Sequence, residues 1–402
     1  MKPLSGIRVL DLSRVVSGPF CTMLLGDLGA EIIKIEDPNS GDESRHFGPP
    51  FVGGESAYFL SVNRNKRSCT LNLKSPEGIR ILGEIARHCD VLIENFRPGT
   101  LARLGLGEHW LRSTNDRLIR CSISGFGTSG PDAERPGYDL IVQGEAGIMD
   151  ITGSLDGPPM KVGTSIADLV TGLYAAQGVL AALLERQTTG KARSVEIAML
   201  DSLASLLTFN AGMFFTTGHS PTRRGNAHPT IYPYETFQAA DGWVNVGIAN
   251  DKFWQLFCKA IDDKGLAEDP RFRTAPLRVQ NRAELQPILG DILHRQPRSH
   301  WIELLGSAGI PCGAIRTVGE VCSAEQLVSR GQIVDLLHPT AGSVKNILSP
   351  VRLDDEPLAD HTAPPLFGEH TNEILTTLGG VHARELEALR SAGVIAAQPV
   401  ST

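Results

Sequence analysis

The chain of 402 residues is 41% hydrophobic and 21% charged, with 38 basic and 45 acidic side chains and a formal net charge of −7. That balance is ordinary for a globular protein and argues against a general nucleic-acid binder, while the length calls for two domains. Seven cysteines stand singly, with no CxxC pair, which argues for reduced thiols, a cytoplasmic protein and no zinc site. The opening MKPLSGIRVLDLSR carries Asp11 and Arg14 inside its apolar run, unlike a signal peptide, and no uncharged apolar run is long enough to span a bilayer.

In chain order, residues 7–12 (IRVLDL) read as a buried strand. A helix opens at Gly18-Pro19, and a second strand covers residues 31–36, completing a βαβ unit. Residues 69–73 (CTLNL) read as the next strand. Ser75-Pro76 then cap a helix, and strands follow at 90–94 and 118–124. This alternation predicts a doubly wound, mostly parallel α/β sheet. Residues 161–186 open with a turn at Val162-Gly163-Thr164 and run into a long helix rich in Ala and Leu, with Ser165 at the N-cap and Asp168 in the first turn. A first-turn Asp ordinarily caps. The helix dipole and free N–H groups also favour its ionised form, and an ionised carboxylate can be a nucleophile.

Residues 195–199 (VEIAM) read as another strand, followed by the helix DSLASLLTFNAGMFF. The polar stretch 219–230 reads as a linker. A β-hairpin closed by Asp241-Gly242 and three amphipathic helices then predict a smaller α+β domain. The expected boundaries are 1–200 for the large domain, 201–232 for a helix and linker, 233–317 for the small domain, and 318–402 for a return to the large one.

The GFGTSG at 125–130 matches a dinucleotide fingerprint only in letters, because Pro131 follows where a helix should open. Its glycines instead suit a loop approaching a ligand. Arg64, Lys66, Arg67, Lys74, Arg97 and Arg103 lie near strand ends and together suggest a site for a phosphate-bearing anion. His228 and His370 read as turn or capping residues. No HExxH, GxSxG or Walker motif occurs.

The segments LDLSRVVSGPFCTMLLGDLGAEIIKIE, NRNKRSCTLNLKSPEG, ENFRPG, SGFGTSGP, GYDLIVQGEAG and IADLVTGLYAAQGVLAAL, in this order, resemble the family III CoA-transferases. That group includes formyl-CoA transferase and the carnitine CoA-transferases. GNAHPTIYPYETFQAADG and PPLFGEHTNEIL resemble the branch that uses glutarate and related dicarboxylates. The resemblance implies that Asp168 is a nucleophile carrying CoA as an aspartyl thioester. It implies acyl-CoA and a carboxylate as substrates, with no metal and no prosthetic group, and an intertwined homodimer. CoA contacts carry over onto Val16, Ser17, Leu71, Asn72, Leu73, Lys74, Asn95, Phe96, Arg97, Arg103 and Tyr138.

Three departures narrow the substrate. Val16 stands where formyl-CoA transferases have Gln, no three glycines are consecutive, and Pro136 replaces a basic CoA contact for which neighbouring Arg135 is the substitute. Oxalate and formate are therefore not the expected acids. A second carboxylate on the acceptor would want an Arg, with Arg14, Arg45 and Arg224 as candidates. The alternatives are an α-methylacyl-CoA racemase, whose His falls on Tyr138 in Gly137-Tyr138-Asp139, and a non-catalytic CoA-binding protein.

Overall fold

Six strands form one sheet in a computed structural model that describes residues 2–358 and 360–397. They are β1 (Arg8–Asp11), β2 (Glu31–Glu36), β3 (Lys66–Thr70), β4 (Val91–Glu94), β5 (Ile119–Ser124) and β6 (Ser194–Ala198). They lie in the order β3-β2-β1-β4-β5-β6, all parallel. The direction of winding reverses between β1 and β4, and open α/β sheets have their ligand crevice at such a switch point, outside the carboxyl ends of the two strands.

Alternation along each strand feeds two cores. Val9, Ile32, Val91 and Ile93 pack with α1 (Ser17–Asp27) and α5 (Ile166–Thr189) on one face. Leu10, Ile33, Ile35 and Leu92 pack with α3 (Pro76–Arg87) on the other. Three further helices matter below: α2 (Ala57–Val62), α4 (Asp139–Glu145) and α7 (Thr208–Thr217), the last preceded by α6 (Met199–Ala204). Ser75 caps α3 by accepting from the Gly78 N–H, with Pro76 at the first helical position.

Strand β3 lies three residues earlier than its apolar pattern predicts. Lys66 opens the strand in register with Ile32 and is buried, because its ammonium reaches Asp11 Oδ2 at 3.2 Å, the Pro19 carbonyl and Asn63. An ion-paired lysine satisfies a core position that the sequence pattern assigns to apolar residues.

Contacts divide the chain into two compact units. One comprises residues up to Ile148, Lys161–Phe215 and Val328 onward; the other comprises Met149–Met160 and Thr216–Leu327. The second unit thus takes in 149–160 and the whole 219–230 stretch, more than the boundaries at 233 and 317 allow. Within it, β7 (Tyr234–Ala239), β8 (Gly242–Gly247) and β9 (Cys312–Ala314) form an antiparallel sheet. It packs with α8 (Asp251–Ala260), α9 (Arg282–His294) and α10 (Arg298–Ser307) around Trp254, Phe257, Phe272 and Leu289. The hairpin turn is Ala240-Asp241, one residue earlier than expected, since Gly242 already pairs with Ala239.

Candidate active site

The crevice is built first by backbone. The turn between β1 and α1 is tied to the end of β4, where Arg14 N–H donates to Asn95 Oδ1 at 2.8 Å and Asn95 Nδ2 returns a bond to the Arg14 carbonyl at 2.7 Å. Phe96 N–H donates to Glu94, and the Arg14 guanidinium lies 5.1 Å from the Phe96 ring centre. Val16, Ser17, Asn95 and Phe96 therefore gather at one place. Leu71 and Leu73 share an apolar cluster with Phe96, and Asn72 Oδ1 accepts from Lys74 N–H, closing the turn after β3.

The basic face divides in two. Lys74, Arg97 and Arg103 are exposed, and among the described residues none of them holds an ion pair, Arg103 donating only to Thr100. Arg64, Lys66 and Arg67 are not part of any free face. Arg64 grips Asp27 with two bonds, Lys66 is buried as above, and Arg67 bridges Glu31 and Glu373. Their carboxylate partners are distant in sequence, so the pattern alone overstated the anion site. Arg135 is likewise paired, with Glu145 and Asp132.

Asp168 sits in the first turn of α5, but Ser165 does not cap it: the Ser165 side chain bonds no helical N–H. The cap comes from α4. Asp139 Oδ1 accepts from Ala167 N–H at 2.9 Å, while Gln143 donates to Asp139 Oδ2 and accepts from Val162 N–H. Gly172, one turn beyond Asp168, lets α5 approach α1 closely, since a Cβ there would stand 2.7 Å from the Ser17 carbonyl oxygen. Ser17 consequently offers its hydroxyl to the Asp168 carboxyl.

The charge state of Asp168 departs from the expectation of an ordinary or lowered pKa. Burial, then repulsion from Asp139, pushes it up to about 7, and the Ser17 hydrogen bond only partly offsets this. The helix end favours the anion but is outweighed, because Asp139 has already taken the cap and brings its own negative charge. Tyr58, on α2, faces the same pair. Burial raises its phenol, a hydrogen bond with Ser165 partly offsets this, and the charges of Asp168 and Asp139 add to the rise. Sequence reasoning missed Tyr58, Gln143 and the role of Asp139. The signal for two of them was that Asp139 and Gln143 both belong to GYDLIVQGEAG, with Tyr138, 69% exposed, beside Asp139.

The other candidates scatter. Arg14 is exposed and pairs with Glu43 at 2.8 Å. Arg45 is buried, forks onto Glu36 with bonds of 2.7 and 2.8 Å and lies 3.7 Å from the Phe59 ring centre, so it has no free fork for a substrate carboxylate. Arg224 belongs to the second unit. Gly125 serves a backbone crossing, since a Cβ there would lie 2.7 Å from the Gly137 Cα, so the glycine of that loop answers to Gly137 rather than to a ligand. His228 accepts from Thr230 N–H in a turn.

Residues 4–371 match the model of CoA-transferase family III. The chain is 42% identical over 395 residues to a succinyl-CoA:glutarate CoA-transferase of Mus musculus, covering 98% of this chain and 91% of that protein. It is 40% identical over 367 residues to an acetyl-CoA:oxalate CoA-transferase of Acetobacter aceti, covering 90% and 93%. A crystal structure of a CAIB/BAIF family protein from Brucella suis superposes with a TM-score of 0.86 at 38% identity, covering 94% of this chain and 99% of that one.

Proposed function

Because the chain belongs to CoA-transferase family III, we propose that it moves CoA from succinyl-CoA to a short dicarboxylate such as glutarate, through a thioester on Asp168. The observation that carries this reading is a carboxyl at the head of α5, where the β1–α1 turn meets it, with the Ser17 hydroxyl as its hydrogen-bond partner. The ionised Asp168 attacks the thioester carbonyl, the C–S bond breaks, and CoA leaves as thiolate from a mixed anhydride. The thiolate then attacks the Asp168 carbonyl and releases the donor acid as carboxylate. An acceptor carboxylate runs the same steps backward. One thioester is exchanged for another, so the cycle is close to isoenergetic and consumes no net proton.

Each part of the site has a task in this cycle. Lys74, Arg97 and Arg103 supply exposed cations for the phosphates of CoA, and Leu71, Leu73 and Phe96 an apolar wall. Ser17 donates to an oxygen on the Asp168 carboxyl or its adducts. Arg14 is the candidate in the first unit for the second carboxylate, since an exposed pair such as Arg14–Glu43 contributes about 0–1 kcal/mol and is readily exchanged. We expect Arg14→Gln to raise KM for glutarate about 10-fold while leaving a monocarboxylate unchanged. Equal effects on both acids would exclude Arg14. Transfer from succinyl-CoA to glutarate, oxalate and acetate is the direct test of substrate class. Preference for acetate, or no transfer to any dicarboxylate, would contradict the reading.

Apolar faces support a homodimer. Helix α7 has no buried residue although Phe209, Phe214 and Phe215 lie on it, and α5 leaves Leu173, Leu180 and Leu184 exposed. Such surface calls for a partner. A second reading, racemisation α to a thioester, gains from one observation: a carboxyl at about 7 is suited to proton transfer. Exchange of the α-proton in D₂O without acyl transfer would favour it.

A further inference from the structure

We propose that the buried Lys34–Asp42 ion pair is a positioning device that locks the turn between β1 and α1 and so fixes Ser17 against Asp168. Its catalytic consequence rests on the transferase reading above; its geometry does not.

Lys34 lies in the middle of β2 and Asp42 in the loop after it, 2.8 Å apart, and both side chains are 0% exposed. Each partner holds a different point of the turn. The Lys34 ammonium donates to the Ser13 carbonyl at 2.9 Å, and Asp42 Oδ1 accepts from Val15 N–H at 3.1 Å. Asp42 Oδ1 is itself fixed by Ser44 N–H and the Ser44 hydroxyl, at 2.9 and 2.7 Å. Val15, one of the two tethered residues and two before Ser17, has φ of 69°, a left-handed backbone that a β-branched side chain rarely adopts. Such a conformation persists only where its surroundings over-determine it, and here this pair holds Ser13 and Val15 on either side of Arg14, which Asn95 holds from the end of β4.

The wider environment is balanced in charge. Asp11 and Glu36 also face Lys34. Asp11 is met by Lys66 and by the Ser13 and Thr22 hydroxyls, and Glu36 by Arg45 and Ser68. A buried pair is weak evidence for stability, since apolar residues of similar volume often serve as well or better. A strained turn held by such a pair is better explained by what the turn positions. Two residues beyond Val15 is Ser17, whose carbonyl abuts Gly172 of α5 and whose hydroxyl faces Asp168.

The test is the double variant Lys34→Met/Asp42→Asn, which removes both charges together and leaves an amide oxygen at the second position to accept from Val15 N–H. In the full chain, labelling of Asp168 by succinyl-CoA should slow about 30- to 100-fold, as expected for a misplacement near 1 Å, with a clearly smaller loss of CoA affinity because Lys74, Arg97 and Arg103 lie outside the turn. Asp42→Asn alone, which keeps Lys34, should slow labelling about 10-fold and guards against a double variant that does not fold. A crystal structure of the variant should show Ser17 withdrawn from Asp168. Labelling within about 3-fold of the parent, an equal loss of CoA affinity, or Ser17 in its original place would overturn the proposal. If the parent itself is never labelled, the transferase reading fails, and the position of Ser17 in the variant decides the positioning claim alone.

Discussion

At Asp168 two influences oppose each other. The head of α5 favours a carboxylate, whereas burial and the neighbouring Asp139 favour the acid, and the second pair wins, with a pKa of about 7. Since the proposed nucleophile must be ionised, the rate of Asp168 labelling should rise with pH and level off above about 7. Asp139→Asn keeps an acceptor for Ala167 N–H but removes the charge, so the midpoint of that profile should move down. An unmoved midpoint would leave burial as the whole cause. The same shift has a stability consequence. A carboxyl raised in the folded state holds its proton more tightly than in the unfolded chain, so folding stability is fully present below the ordinary value of 3.8 and falls as pH rises through about 7. Asp168→Asn should therefore abolish transfer yet stabilise the ligand-free protein more at pH 8 than at pH 5, by on the order of 2 kcal/mol. Urea unfolding at the two pH values checks this. A difference independent of pH would mean that the carboxyl is not strained by its site.

At the scale of elements, the strands were legible because parallel strands buried on both faces are short apolar runs. Residues 91–94 (VLIE) show it plainly, while 31–36 (EIIKIE) were legible from their three isoleucines although Lys34 between them is buried as well. β3 was shifted because its first residue is a buried lysine, whose acceptability depends on Asp11, 55 positions away. The same cause split the basic face: whether Arg64 is free depends on Asp27, which no local pattern reveals. The start of α5 was legible, but its cap was not, because Asp139 reaches it across a loop. Close contact between α1 and α5 depends on Gly172. Gly172→Ala would press a Cβ to 2.7 Å from the Ser17 carbonyl oxygen. We expect it to cost about 1–3 kcal/mol of stability and to slow Asp168 labelling at least about 10-fold. A well-folded variant of full activity would show that the two helices tolerate separation.

For the whole molecule, α5 joins two roles. By length and composition it could cross a membrane, yet half of its apolar window is buried inside the protein, as in a core helix. Its remaining apolar side chains and the uncovered α7 define the face proposed for dimerisation, where Phe215 is 82% exposed. Phe209→Glu with Phe215→Glu should convert a dimer to a monomer in light scattering; an unchanged mass would place the interface elsewhere. Every role proposed for the turn after β1, the cap from α4 and the exposed cations converges on one claim, that Asp168 carries CoA. The intact mass of the protein after incubation with succinyl-CoA and no acceptor tests it most directly. We predict a hydroxylamine-sensitive CoA adduct that maps to Asp168 and is absent from Asp168→Asn. Transfer that proceeds at full rate in Asp168→Asn, or an adduct on another residue, would contradict it.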